Sequence, residues 1–117
     1  MKKIYYLSTC DTCKRILKEL DPPADYELQD VKKEPLTLDQ LQELKHRAGT
    51  YEALFNKRAK LYKERDLKNK QLSEEDYKNL LLEHYTFLKR PVVINGQKIF
   101  IGNSKKEVSA AKAALSE

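Results

Sequence analysis

Cys10 and Cys13 are the only thiols of the chain and stand three positions apart in "YYLSTCDTCKRILKEL". A pair at this spacing can be a redox couple, half of a metal site, or one working thiol with a passive neighbour. A structural zinc site wants four ligands. There is no second Cys-x-x-Cys, and His46 and His84 lie far apart with no metal-binding spacing, so no metal is expected. The two thiols are not equivalent. Cys10 falls where the strand-forming run "KKIYYLS" gives way to a helical pattern. The N–H groups of a first helical turn are unpaired, and the helix dipole adds positive potential there. Both stabilise a thiolate, and cysteines so placed can fall well below the free value of about 8.5. Lys14 and Arg15 follow within one turn. Cys10 is therefore read as a reactive thiol. Cys13 shares the spacing i, i+3, i+4, i+7 with Ile16, Leu17 and Leu20, so it should point partly into the core. It is either a small core hydrophobe or a thiol that swings to form a disulfide with Cys10.

Two arginines are candidates for holding an anion beside that thiol. Tyr51, Leu54, Phe55 and Arg58 fall on one helical face, which aims Arg58 inward with apolar residues. A guanidinium matches oxyanions in fork geometry. Arg90 precedes Pro91 at the start of an apolar run, where an X–Pro bond is free to be cis. His84 is catalytic by type, but it shares a stripe with Tyr77, Leu80, Leu81 and Leu88 and reads as a core histidine.

The elements that must position these residues follow from the pattern. "KKIYYLS" is a strand, the stripe from Cys13 to Leu20 is a helix, and "DPP" (Asp21 to Pro23) stops it. "DYELQDV" (Asp25 to Val31) alternates as a second strand. Strand, helix and strand make a βαβ unit with a right-handed crossover and parallel strands. "EPLTLDQLQELKHRAG" is a helix with Thr37 and Gln40 as a capping box, Leu38, Leu41, Leu44 and Ala48 on one face, and Gly49 at its end. A short helix over "TYEALFN" follows. "LSEEDYKNLLLEHYTFL" reads as the strongest helix, capped by Ser73 with acids in its first turn. In "KRPVVINGQKIFIG" two apolar runs flank Asn95-Gly96, a strong hairpin signal. "SKKEVSAAKAALSE" closes the chain as a helix with Val108, Ala111 and Leu115 facing in. A βαβ unit and a ββα unit can share one sheet. The expected fold is therefore α/β: a thioredoxin-like four-stranded mixed sheet with a helical insertion. In that plan the loop before the third strand lies beside the cysteine, and Arg90 faces the thiol.

At 117 residues the chain is long enough for one domain with its own core. We expect a single domain over 1–117, with a thioredoxin-like core at 1–34 and 87–117 and a helical subdomain at 35–86. Charged residues make up 35% and hydrophobic ones 40%, and no apolar run approaches the roughly 20 residues that cross a membrane. "MKKIYYLSTC" has no apolar signal core and no cleavage site, so a cytoplasmic address is expected and no membrane partner. The net charge of +5 favours acidic partners modestly. "NKRAKLYKERDLKNK" (Asn56 to Lys70) is the most basic stretch, but Glu64 and Asp66 interrupt it and no aromatic ladder accompanies it. It reads as a solvated helix surface, with no direct DNA binding.

Three stretches, "IYYLSTCDTCKR", "GTYEALFNKRAKLYK" and "LKRPVVINGQKIFIG", in this order and spacing, resemble the arsenate reductase (ArsC) family in its Spx and YffB-like branches. The resemblance spans nearly the whole chain. It implies a thioredoxin-like fold with a helical subdomain, Cys10 as nucleophile, Arg58 and Arg90 as anion-binding arginines, and Pro91 as a cis-proline. Thr12 and Pro91 are structural neighbours of the site. It further implies a small thiol oxidoreductase with no tightly bound cofactor, glutathione as the candidate co-substrate, and glutaredoxin or thioredoxin as protein partners. There are departures. Phe100 stands where the reductases carry a third arginine, and Tyr6 where they carry a histidine four residues before the cysteine. The Cys-x-x-Cys resembles Spx, which implies the alternative of a redox-sensing regulator that binds the RNA polymerase α-subunit through a Cys10–Cys13 disulfide switch. Resolving thiol, switch partner and core residue all stay open for Cys13.

Overall fold

In a computed structural model, residues 1–116 are described. Glu117, the last residue of the expected closing helix, lies outside them. The change of period at Cys10 is realised as strand β1 (Lys2–Tyr6), a four-residue loop (7–10), helix α1 (Asp11–Leu20) and strand β2 (Glu27–Asp30). The stripe read for α1 is the buried one: Cys13, Ile16 and Leu20 are inside and Leu17 is half-buried. Helix α1 ends at Asp21, which takes a left-handed φ of 44° and donates its N–H to the Leu17 carbonyl. The two prolines that follow prevent any extension.

Strand β1 pairs with β2 in parallel and with β3 (Val92–Asn95) antiparallel, and β3 pairs antiparallel with β4 (Lys98–Ile101). The result is a four-stranded mixed sheet in the order β2-β1-β3-β4 with helices, the expected thioredoxin-like plan. The hairpin is shifted by one residue from the expected Asn95-Gly96 turn. Asn95 pairs with Lys98, so Gly96 and Gln97 form the two-residue loop, and Gly96 takes the positive φ (63°) that such a turn demands. Helix α5 (Lys105–Leu115), capped by Ser104, buries Val108, Ala111, Ala114 and Leu115. Of these, Val108, Ala111 and Leu115 join Ile4, Val93, Ile16 and Leu20 in one apolar cluster, with Phe100 packed half-buried against it. Each large aliphatic buried there contributes about 1.5–3 kcal/mol, which is what fixes α1 on the sheet.

The described residues divide into two compact units, 1–34 with 90–117, and 35–89. The second holds α2 (Leu38–Ala48), α3 (Lys60–Glu64) and α4 (Glu74–Glu83) with three short 3-10 turns. The capping box expected at Thr37 is present, and the Ser73 cap forms a second one with Asp76. Thr37 and Gln40 bond reciprocally at 3.1 Å, and Ser73 and Asp76 do so at 2.8 and 3.2 Å. Leu41 and Leu44 are buried as expected, but Leu38 is exposed because it is the first residue of α2.

Two expectations for this unit fail for one reason. The segment "TYEALFN" forms a 3-10 turn over Glu52–Leu54 and then turns extended at Phe55, and α4 stops at Glu83 instead of reaching Leu88. The backbone there is used across the unit: Phe55 and Leu88 form an antiparallel bridge, Asn56 N–H donates to the Phe87 carbonyl (2.7 Å) and Lys89 N–H to the Leu54 carbonyl (2.9 Å). Phe55 stacks on Phe87 and meets Tyr77 edge-on. Long-range pairing outweighs local helical preference. The basic stretch is likewise not one helix. Asp66, at φ 54°, separates α3 from a 3-10 turn over Leu67–Asn69, and Glu52 and Glu83 neutralise Lys57 and Arg65. None of the described helices is long and apolar enough to cross a membrane.

Candidate active site

Cys10 occupies the N-cap of α1 in an extended conformation (φ −98°, ψ 114°), with its N–H donated to the Leu7 carbonyl at 3.1 Å. Its side chain is half-exposed, whereas Cys13, one turn into the helix, is 1% exposed; both are free thiols. The expected asymmetry is thus present in burial. It is also present in ionisation. Partial burial works against the Cys10 thiolate, but the Cys13 backbone N–H, the Cys13 thiol, the Arg90 guanidinium and the Thr12 N–H together outweigh it and hold the thiol below its ordinary value. Cys10 makes no capping hydrogen bond of ordinary geometry, so the N–H groups act on the sulfur as aimed dipoles. Burial, only partly offset by the Leu7 N–H and Arg90, pushes Cys13 up to about 11, and the neighbouring Cys10 adds to the rise. Of the two thiols, Cys10 therefore gives up its proton first and Cys13 keeps its own, so negative charge on the pair is favoured on Cys10.

Arg90 reaches the pair through the sheet. Because β3 runs antiparallel to β1 with Val92 opposite Tyr5, the residues just before Val92 lie beside the loop that follows β1. The Arg90–Pro91 bond is cis. Pro91 is buried, and its carbonyl accepts the N–H of Gly102, whose φ of 94° favours glycine. Arg90 is half-buried at this corner. Thr12 lies in the first turn of α1 and supplies one of the N–H groups aimed at Cys10.

Arg58 is placed differently from the expectation. It is exposed, in a turn between the 3-10 segment and α3, and not on a helical face with Tyr51, Leu54 and Phe55. Its N–H donates to Asn56 Oδ1 at 3.0 Å. It belongs to the unit over 35–89, whereas Cys10, Cys13, Arg90 and Pro91 belong to the other. His84 is not on the α4 stripe. It ends the helix, and its Nδ1 accepts the Thr86 N–H at 3.0 Å, capping the next 3-10 turn beside Tyr85. Phe100 packs against the apolar cluster and Tyr6 ends β1 half-buried, so neither supplies a cation. Among the described residues, no group of three or more His, Cys, Asp or Glu is arranged to hold a metal ion.

Ser8 and Asp30 have no part in the sequence reading. The Asp30 carboxylate, buried at the end of β2, accepts from the Ser8 hydroxyl at 2.5 Å, from the Lys32 N–H at 3.1 Å and from the Ser8 N–H at 3.4 Å. No local spacing links residues that are 22 positions apart. The parallel register of Tyr6 with Asp30 is what brings them together.

A family model described as "ArsC family" matches residues 5–111. An uncharacterized protein of Haemophilus influenzae is 32% identical over 115 residues, which cover 97% of this chain and all of that one. The global transcriptional regulator Spx 2 of Bacillus anthracis is 22% identical, over 92% of this chain and 84% of its own length. Among solved structures, an arsenate reductase from Vibrio cholerae superposes with a TM-score of 0.77 at 21% identity, over 94% of this chain and 96% of that one. At that identity the superposition establishes the fold.

Proposed function

The chain belongs to the ArsC family, and on that premise we propose that it is a thiol oxidoreductase in which Cys10 is the nucleophile. The observation that carries the reading is the split between the two thiols: Cys10 at a helix N-cap beside Arg90, lowered, and Cys13 buried and pushed up to about 11. A thiolate attacks; a thiol that keeps its proton cannot. Cys10 Sγ attacks one sulfur of an oxidised substrate, for example a disulfide of glutathione. A new S–S bond forms, the old one breaks, and the leaving thiolate departs. Cys13 then attacks Cys10 Sγ, its proton passes to the second leaving sulfur, and the pair becomes a disulfide. The substrate gains two electrons and the chain loses two. A thiol donor, glutathione or thioredoxin, returns them. No metal or tightly bound cofactor takes part.

Arg90 balances the negative charge that collects on Cys10 and on an anionic substrate. The anion-binding role of Arg58 rests on the family pattern, and Arg58→Ala tests it through a raised KM for an anionic substrate. Arsenate fits less well than a glutathione-type substrate, because Phe100 and Tyr6 replace two polar groups of the reductase pattern. The test is turnover of a glutathione mixed disulfide, coupled to a thiol donor. Cys10→Ser abolishes it, and full activity in that variant would overturn the reading.

The likeness to Spx 2 supports a second reading: the Cys10–Cys13 disulfide alters binding to the RNA polymerase α-subunit. A pull-down with that subunit under reducing and oxidising conditions separates the two. Reductase turnover with no binding in either state decides for the enzyme.

A further inference from the structure

Taking Cys10 as the attacking group, we propose that Asp30 is the positioning residue of the thiol site, holding the β1–α1 loop through Ser8. Asp30 is 8% exposed, and a carboxylate at that depth is costly unless its oxygens are bonded. They are. Oδ2 takes the Ser8 hydroxyl at 2.5 Å, and Oδ1 takes the Lys32 N–H at 3.1 Å and the Ser8 N–H at 3.4 Å. The sheet does not need this side chain. The ladder of Asp30 with Tyr6 is made by the backbone, and Val31 N–H already closes it on the Tyr6 carbonyl at 2.9 Å. The carboxylate is therefore directed at the loop.

That loop has four residues, 7–10, and three are held. Leu7 is buried, and its carbonyl accepts the Cys10 N–H. Ser8 is bound to Asp30 by both its hydroxyl and its N–H. Thr9 is exposed. Releasing Ser8 would free the chain on both sides of it: Leu7, whose N–H acts on Cys13, and Cys10 itself. Aimed dipoles lose most of their effect when the sulfur drifts out of line, so the anchor governs how well Cys10 is activated. The role is geometric. A negative charge near Cys10 would oppose its ionisation, and Asp30 has no place among the groups that act on that thiol.

The experiment measures the rate of Cys10 alkylation by iodoacetamide against pH in the full chain, with the adduct located by mass spectrometry and folding checked by circular dichroism. Asp30→Ala and Ser8→Ala each move the midpoint upward and slow alkylation at pH 7 by about tenfold, the scale of one hydrogen bond to a charged group. The double variant is no slower than the worse single one, because both cut one connection. Asp30→Asn keeps most of the wild-type rate: its Oδ1 still accepts the N–H groups and its amide can donate to the Ser8 hydroxyl. Unmoved profiles in Ser8→Ala, single effects that multiply in the double variant, or an Asp30→Asn rate as low as that of Asp30→Ala would each overturn the proposal. If Asp30→Ala does not fold, Ser8→Ala decides alone. A wild-type Cys10 that titrates as a free thiol would refute the nucleophile reading itself, a result distinct from all of these.

Discussion

Replacing Cys13 by alanine separates the packing of that residue from its proton. In the fold its thiol is pushed from an ordinary 9.0 up to about 11, burial being the largest cause. In the unfolded chain it ionises near its ordinary value. Between the two, the unfolded state releases a proton that the folded state keeps, so stability falls as pH rises. The contribution is complete below about pH 8 and gone by about pH 11. The gap between 9.0 and about 11 corresponds to about 2–3 kcal/mol at roughly 1.4 kcal/mol per pH unit. Cys13 is 1% exposed, so solvent does not screen this appreciably. The alanine variant loses about 1–2 kcal/mol at every pH to the cavity left by the sulfur. That cost is constant, whereas the alkaline loss disappears with the thiol. Urea unfolding of both proteins under reducing conditions at pH 8, 9, 10 and 11 therefore shows curves that converge and then cross. The wild type starts about 1–2 kcal/mol more stable, loses that lead as the pH rises and ends slightly the less stable near pH 11, because its alkaline loss of about 2–3 kcal/mol exceeds the lead. Tyrosines and lysines titrate in both proteins and cancel in the difference. Curves that stay parallel to pH 11 would refute the claim that burial keeps the Cys13 proton in place.

Arg90→Ala removes a cation that favours the Cys10 thiolate, so alkylation of Cys10 at pH 7 slows several-fold and its midpoint rises; stopped-flow alkylation reads both. Because the Cys10 thiol is lowered in the fold, its ionisation stabilises the protein above its unfolded value, and this contribution is lost as pH falls through the folded one; Cys10→Ala flattens that part of the stability profile in urea titrations. Phe55→Ala removes a ring 1% exposed that meets Tyr62, Tyr77 and Phe87 with centroids 4.9–5.9 Å away, at a loss of about 3–5 kcal/mol in thermal or urea unfolding. Ser73→Ala breaks the capping box of α4 and lowers stability by about 1 kcal/mol, measured in the same way.

Local chemistry was legible where one residue decides it. The period change at Cys10, the prolines after Asp21, the capping box at Thr37, the cap at Ser73 and the glycine at 96 each act within a few residues, and each stands where it was read. The errors arose where the decision is made by distant partners. Helical spacing ran unbroken from Tyr77 to Leu88, yet the chain leaves the helix at His84 because the backbone flanking Phe55 bonds to that of Phe87 and Lys89. The same pairing removed Arg58 from the apolar face on which its spacing had set it. Ser8 and Asp30 were invisible for a related reason: only the register of two parallel strands makes them neighbours.

The site also shows why a Cys-x-x-Cys spacing alone underdetermines chemistry. Both sulfurs lie near the same helix start and near the same Arg90, so the dipole and the cation act on each. What separates them is depth. Three residues along a helix is most of one turn, which brings Cys13 back over the sheet beside Ile16 while Cys10 stays on the rim. Burial then costs the deeper thiolate more than the N–H groups return, and the shallower thiolate gains from the neutral thiol below it, which can donate a hydrogen bond. Each cysteine thus determines the other's state. Negative charge on Cys10 raises Cys13, and the retained proton on Cys13 lowers Cys10. Under the proposed mechanism, a first attack from Cys10 would remove that charge by forming a mixed disulfide as the substrate's thiolate leaves, and with it one of the causes holding the Cys13 proton. In the proposed reaction the resolving role of Cys13 would thus be released by the step that needs it, with Arg90 still in place to favour its ionisation.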